Sequence, residues 1–580
     1  MTDSFSPGPP AWVHKRDGQI VPFDADKISR ALFAASEELG RPDAFLAREL
    51  ADGVVHFLTL ESEGTTPTTE QIAEVVIKVV RELGQPALAE AFARFGRERV
   101  RSRTGWTEQS ETHPVSSEVV LRFARGTPLS AVLASCMCEY ALQSVFTRDL
   151  AAAQRAGLLT LTGLEMPNKL AGCLLGPPLD VQQELLAALS ELRRFVGCFV
   201  VFDGPEYLLT AQDRPDAGAF VRDLTIGLRL TGLQGIVNLN STAPPSWAGE
   251  LAEGPLFAGQ QRKLHSEQLG EVANELAKEL LRSKLAIPIA RFVRIDWHLS
   301  ERDFLEDSAQ RERLRQLARL ALEGAPLAFV FDRPRRPTAL AEGIDRQHPA
   351  VLLTVGLHLP QLALQPGIDG DPAKFLSKLG SLARLALSAG VQKREYLRRL
   401  ERSRSHLPAD APALTNGFLL DRARLLVAPV GLDSVVHSFI KKGLSTGGAA
   451  LDFARQIVQR LRDVLRQDGR TAHLDTCLDG PFSFHLGDSA DAPLAENVAG
   501  LTAWDATAPL RGQLRSAGVL HNIAEHGTLA LFLPEDKTPS PEQVADWLHA
   551  AWRQTDVVRL RLIRRLLPAR QLTFPAAKQE

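Results

Sequence analysis

The chain has 580 residues, 44% of them hydrophobic and 23% charged, with a formal net charge of -2. That length suggests two to four domains, and the near-neutral balance gives no general reason to expect a nucleic-acid partner. Met1–Pro10 lacks a basic-then-apolar leader, no apolar run nears the roughly 20 residues that span a bilayer, and five cysteines make no disulfide framework. A cytoplasmic protein without a membrane partner is therefore expected.

Trp12 to Pro22 reads as two short strands joined by a tight turn at Asp17-Gly18, where glycine supplies the positive φ such a turn needs. Asp24 then stands as N-cap of a helix to Leu39, with Ile28, Ala31, Leu32 and Ala35 on one face. Gly40-Arg41-Pro42 stops it. A second helix over 43–60 places Leu46, Leu50 and Val54 on a stripe. Thr68 and Gln71, spaced as a capping box, open a third helix that carries Ile72, Val76 and Val79. A fourth follows Pro86 and ends in the basic run Arg97–Arg103. Hairpin and first helix gather Lys15, Arg16, Lys27 and a positive helix terminus, which outlines an anion site with phosphate as its natural guest. Surface cations are more often simply solvated. Their placement on a hairpin and a helix start favours the ligand.

These residues resemble an ATP-cone, the nucleotide-sensing module of ribonucleotide reductases and their dedicated repressor. The resemblance rests on Val13-x-Lys15-Arg16-Asp17-Gly18, on Pro22-Phe23-Asp24-x-x-Lys27-Ile28, on Thr68-Thr69-x-x-Ile72 and on Ala91-Phe92-x-x-Phe95. The family's usual Tyr-Arg near the end is Phe95-Gly96 here. The resemblance implies that Lys15, Arg16, Lys27 and Thr69 contact ATP or dATP.

The polar stretch 104–118 reads as a linker. Beyond it, apolar runs at 158–161, 198–202, 235–239, 293–297, 327–331, 351–357, 424–430 and 528–532 alternate with helical stretches such as 181–196, 266–283, 308–323, 371–389, 449–467 and 541–553. Alternation of this kind predicts an α/β domain whose sheet is largely parallel. The order of landmarks resembles the ten-stranded barrel of the anaerobic (class III) ribonucleotide reductases. Those landmarks are Leu150–Leu164 followed by Cys173, then Val237–Asn240, Ile287–Ile289, Gly356–Pro360, Gln392–Arg394, Val430–Leu432 and 496–505. The expected division is a flexible start (1–10), the cone (11–103), the linker (104–118), the barrel-like domain (119–560) and a basic tail (561–580).

That resemblance implies a glycyl radical, a finger-loop cysteine and a four-cysteine zinc site. The last glycine of the sequence is Gly527, no cysteine lies between Cys198 and Cys477, and none follows Cys477. The finger loop would fall near 333–351, which is rich in proline and charge. The expectation is therefore an ATP- or dATP-binding regulatory or accessory protein, a pseudoenzyme without a bound metal, that forms a homo-oligomer or joins a reductase-related partner. The alternative is a divergent ribonucleoside-triphosphate reductase-like enzyme whose radical or thiols come from a partner chain. A DNA-binding repressor lacks any zinc-ribbon or helix-turn-helix signal.

Several residues carry weaker signals. Cys136-Met137-Cys138 lies on a helix, where residues two apart diverge, so two small core residues are expected rather than metal ligands. His521 and His526 are expected on a loop or helix surface. Asp296, His298 and His358 lie at strand ends, where α/β folds place ligand contacts. Gly443–Gly448 lacks the Lys-Ser/Thr of a phosphate loop and reads as a connector. The arginine–aliphatic alternation from Arg553 to Arg570 suggests an edge strand followed by a short amphipathic helix.

Overall fold

The computed structural model describes residues 10–15, 18–61, 66–102, 129–175, 181–210, 216–240, 266–286, 293–305, 307–325, 327–334, 339–403, 418–479, 509–533 and 538–564. The linker 104–118, Arg16, Asp17, 496–505 and 565–580 lie outside them. The chain forms two compact units, one of Met1–Asn168, Leu353–Ala413 and Asp463–Thr476, the other of Lys169–Leu352, Leu414–Arg462 and Cys477–Glu580.

The first unit begins with the hairpin β1 (Trp12–His14) and β2 (Ile20–Pro22), antiparallel with Val13 opposite Val21. Gly18 adopts φ +80°, its N–H reaches the Lys15 carbonyl at 3.0 Å, and the Lys15 N–H reaches the Gln19 carbonyl at 2.8 Å. Four helices follow: α1 (Ala25–Glu38), α2 (Ala44–Glu61), α3 (Thr69–Glu82) and α4 (Pro86–Ser102). Both expected caps are present. Asp24 accepts from the Asp26 N–H, and Thr68 and Gln71 satisfy each other's backbone donors reciprocally. Ile28, Leu32 and Phe33 of α1 are buried with Leu50 and Val54 of α2 and Val76, Val79 and Val80 of α3.

The same unit holds β3 (Leu159–Leu161) and the long helix Pro372–Ser403. It also holds the C-terminal part of the helix Ala449–Thr471. The strand β9 (Ala350–His358) enters it from Leu353 onward, and there β3 pairs antiparallel with it, Leu159 opposite Leu357. Cys136 and Cys138 lie on the helix Leu129–Tyr140 and are half-buried.

The second unit is built on a mixed sheet. Its strands are β4 (Leu170–Leu175), β5 (Val196–Asp203), β6 (Gln234–Asn240), β7 (Val293–Leu299) and β8 (Leu327–Phe331), then the start of β9, β10 (Ala423–Val430), β11 (Thr476–Leu478), β12 (Thr528–Leu533) and β13 (Arg559–Arg564). Their order is β11-β10-β9-β4-β5-β6-β7-β8-β13-β12. From β4 to β8 every neighbour is parallel, as expected from the alternation with helices. The direction reverses at both borders of that run, β4 against β9 and β8 against β13, while β13 and β12 are again parallel.

Two expectations need correcting. The arginine–aliphatic segment is no edge strand, because Arg559–Arg564 lies between β8 and β12. Arg559 is buried there because Asp296 meets its guanidinium at 3.2 Å. His521 and His526 are also buried rather than on the surface. The His521 ring takes the Val558 N–H on Nδ1 at 3.1 Å, and burial pushes the His526 imidazole down to about 3.

Candidate functional site

The residues expected to meet an anion lie where three chain segments are tied together. β1 places Lys15 at its end. His14 donates its N–H to the Pro67 carbonyl at 3.0 Å and bridges in parallel to Thr68. That contact sets the end of β1 beside the start of α3, whose first residue is Thr69. Phe23 donates to the Ala11 carbonyl at 3.0 Å, which extends the hairpin up to the Asp24 cap, and Lys27 follows in the first turn of α1. Lys15, Lys27 and Thr69 thus stand on tethered segments at two helix N-termini, where backbone donors and the helix dipole favour an anion. Arg16 lies outside the described residues.

The charges around the site are not all positive. Asp24 lies 3.4 Å from Arg30 and 4.0 Å from Lys27. Lys27 is 63% exposed, so that loose contact leaves its ammonium available to a ligand. Lys15 has no carboxylate partner among the described residues. Asp26, next to Lys27, is turned away from the site. Its Oδ1 takes Arg48 at 2.5 Å and its Oδ2 takes Ser388 Oγ at 2.6 Å. Burial raises the Asp26 carboxyl, but Arg48 and Ser388 outweigh it and hold the group below its ordinary value. The sequence reading missed Asp26, Arg48 and Ser388. Nothing local marks them, since their partners are 22 and 362 residues apart.

A second polar group lies in the other unit, at the C-terminal ends of β5 to β8. The register sets Asp203 beside Asn238 and Asn238 beside Asp296, with Asn240 beside His298. Asp332, just past β8, receives His298 Nδ1 at 3.0 and 3.1 Å from its two oxygens. Burial alone would lower the His298 pKa, but Asp332 and Asp203 raise it above its ordinary value. Arg346 reaches Asp203 at 3.3 Å. Both amide atoms of Asn238 and the Nε2 of His298 are buried without a hydrogen-bond partner among the described residues. Asp296 and His298, expected at a strand end, are therefore in this group. Asp203, Asn238 and Asp332 were missed, although polar residues two apart at the end of an apolar strand are a readable signal. His358 lies in the first unit, where its Nε2 meets Thr160 Oγ1 at 2.7 Å and burial pushes its imidazole down to about 4.

The described part of the connection from β8 to β9, residues 339–349, packs into the interior of the second unit. Leu340, Ala341 and Ile344 pack with Ala171, Val201, Ile236, Val351, Leu426 and Cys477. Gly343, at φ +61°, makes the turn, and a Cβ there would come within 2.0 Å of Leu426 Cδ2. Each polar group of the turn is met. Asp479 takes the Gly343 N–H at 3.0 Å, Arg424 donates to the Gly343 carbonyl at 3.0 Å and pairs with Asp345 at 2.8 Å, and Arg294 pairs with Glu342. No thiol is part of this loop. Cys173, on β4, is fully buried, which pushes its thiol up to about 12, and Cys477 is raised for the same reason.

Residues 12–99 match the ATP cone domain family. Among solved structures, the chain resembles the anaerobic ribonucleotide reductase from Thermotoga maritima in complex with dATP and CTP. Identity is 12%, the TM-score is 0.54, and the match covers 81% of this chain and 85% of that one. The same enzyme with citrate in the active site matches at 12% identity and TM-score 0.54, over 81% of this chain and 93% of that one. Another anaerobic ribonucleotide reductase matches at 11% identity and TM-score 0.52, over 81% and 83% of the two chains. No curated protein matches the sequence. At such identities the structural likeness establishes the fold: an N-terminal ATP-cone followed by a large α/β domain of the anaerobic ribonucleotide reductase kind.

Proposed function

We propose, from an ATP-cone joined to the fold of an anaerobic ribonucleotide reductase, that this protein binds ATP or dATP and acts as a regulatory or accessory protein rather than as a reductase. The observation that carries the nucleotide reading is the tethering of Lys15, Lys27 and Thr69 at the starts of α1 and α3. The ammonium groups of Lys15 and Lys27 serve as point charges for the phosphates. Arg16 belongs to the same site by its place in the signature. Thr69, at a helix N-terminus, completes the set with a hydroxyl and its backbone donor.

The regulatory reading is supported by the β8–β9 connection. A thiol in such chemistry gives its hydrogen atom to a stored radical and then, as a thiyl radical, takes one from the substrate, so a cysteine must stand beside that substrate. The loop offers Leu340, Ala341, Gly343 and Ile344 instead, with Glu342 and Asp345 already held by arginines. A nucleotide can bias only states for which its affinity differs, so the cone would act by shifting oligomeric or partner-bound states.

Calorimetry of the full chain with ATP and with dATP tests the site. The wild type should release heat, and Lys15→Ala with Lys27→Ala should weaken binding at least about tenfold, each lost charge-assisted contact contributing about 1.5–3 kcal/mol. Absence of heat from the wild type would end the nucleotide reading, and equal heats in wild type and double variant would remove Lys15 and Lys27 from the site. One observation favours the enzymatic alternative, in which a partner chain supplies the radical: the buried Asn238 amide and His298 Nε2 at the strand ends, without hydrogen-bond partners among the described residues. Ribonucleotide reduction above blank in the presence of a radical-bearing partner, lost in His298→Ala, would favour it over regulation.

A further inference from the structure

We propose that Arg48 and Arg384 are positioning residues that couple nucleotide occupancy of the cone to the long helix Pro372–Ser403 through one continuous chain of ion pairs and hydrogen bonds. The inference rests on the nucleotide site proposed for Lys15 and Lys27, and it adds the route by which that site is read.

The chain starts one residue from Lys27. Asp26 Oδ1 takes Arg48 at 2.5 Å, and Arg48 Nε lies 3.3 Å from Asp52 Oδ1. Asp52 Oδ2 in turn accepts Ser381 Oγ at 2.6 Å and Arg384 at 2.8 Å. Arg384 Nε donates to Asp468 at 2.8 Å, on the helix Ala449–Thr471. A second arm leaves Asp26 through Oδ2 to Ser388 Oγ at 2.6 Å, then to Gln392 at 3.0 Å and from there to Thr147 at 3.1 Å. Ser381, Arg384, Ser388 and Gln392 recur at steps of three and four, so a single face of the long helix carries every contact.

Burial makes the chain responsive. Arg48 is 7% exposed and Asp52 18%. Each arginine serves two carboxylates, and each is raised above its ordinary value against the opposing effect of burial. One member cannot shift without leaving a charge unpaired in a poorly solvated place, so displacement at one end is costly unless the rest follows. The phosphates of a nucleotide held at Lys27 bring several negative charges to the turn that carries Asp26. Like charge at that range acts on the carboxylate and on the cation it shares with Asp52. Asp26 is bonded directly to the long helix through Ser388, so the change is felt there. The same two elements also meet through Lys378 and Glu49 at 2.8 Å, a pair that is not part of the chain.

Hydrogen exchange of the full protein with and without saturating ATP, read by mass spectrometry, tests the coupling in wild type, Arg384→Gln, Ser388→Ala and Glu49→Gln. In the wild type ATP should slow exchange in α1 and also over 381–392. In Arg384→Gln and Ser388→Ala the α1 response should persist while the long-helix response disappears. ATP affinity should fall about fivefold, since coupling is reciprocal. Glu49→Gln, which cuts a contact at the same junction, should leave both responses intact. A merely structural role would make all three variants alike. If Arg384→Gln does not fold, the contrast between Ser388→Ala and Glu49→Gln decides. ATP binding without any long-helix response in the wild type, or a response that survives in Ser388→Ala, overturns the coupling alone. Absence of ATP binding to the wild type overturns the nucleotide reading and the coupling with it.

Discussion

The two units bury charge in opposite ways. In the first, the charges form an open chain, Asp26–Arg48–Asp52–Arg384–Asp468, that runs from helix to helix and ends on a one-third-exposed carboxylate. In the second, the pairs Glu342–Arg294, Arg294–Asp296 and Asp296–Arg559 form a compact knot whose two carboxylates are both buried. Asp296 and Glu342 are held below their ordinary values there against strong desolvation, because Arg294 serves both. An open chain has somewhere to pass a displacement. A knot that begins and ends in the interior does not, and it fixes what it touches, here the loop that carries Gly343. The same residue types thus serve transmission in one unit and immobility in the other, and the difference lies in whether the last charge meets solvent or the interior.

The sharpest way to break this contrast is to untie the knot. Arg294→Met leaves Glu342 buried without its cation and should cost about 3–5 kcal/mol by urea unfolding. A loss below about 1 kcal/mol would show that the knot is solvated and the contrast unfounded. A step down in size, Gly343→Ala puts a Cβ at φ +61° within 2.0 Å of Leu426 Cδ2, which demands both backbone strain and a side-chain move. About 2–3 kcal/mol is expected from overpacking together with the left-handed backbone. An unchanged urea midpoint in Gly343→Ala would mean that the loop is free to shift, contrary to a knot that fixes it.

How much of this was legible depends on the range of the interaction that decides each feature. Asp24 and the Thr68–Gln71 pair act within one helical turn, so the caps and starts of α1 and α3 could be read from neighbouring letters. Most strands of the parallel run were legible because burial on both faces leaves near-continuous apolar runs. β4 was missed, its Leu170–Leu175 run lying within a segment without flanking alternation. β13 was recognised as strand-like, but its place between β8 and β12 was not. The residue that makes an interior place tolerable for Arg559 is Asp296, more than two hundred positions earlier. His521 and His526 failed for the same reason: a histidine in a polar-looking stretch is read as exposed, and only tertiary packing buries it. At the cone, Lys15, Lys27 and Thr69 were named from the signature. Asp26, one letter from Lys27, looked like an ordinary first-turn acid until its partners on α2 and the long helix were in place.

The comparison also covers a carboxylate that meets an amide side chain. Glu206 is fully buried beside β6, and its Oε1 accepts the Asn240 N–H at 3.0 Å and the Asn240 side-chain amide at 2.9 Å. Burial outweighs those donors, and the group is pushed up to about 8 from an ordinary 4.5. The sign of the pH dependence follows. Below pH 4.5 the folded and unfolded chains both hold the proton. Between 4.5 and 8 the unfolded chain releases it while the folded one keeps it, so stability falls as pH rises through that window and levels off above it. Glu206→Gln keeps the Oε1 acceptor and has no proton to lose. Its stability relative to wild type should therefore climb between pH 5 and pH 8, by at most about 1.4 kcal/mol per pH unit, and hold steady beyond. Urea midpoints of both proteins at pH 5, 6.5, 8 and 9 measure this. Parallel profiles would place Glu206 with the paired carboxylates of the knot, and a profile that diverges toward low pH instead would mean its carboxylate is stabilised by a cation, erasing the distinction between the two kinds of buried acid.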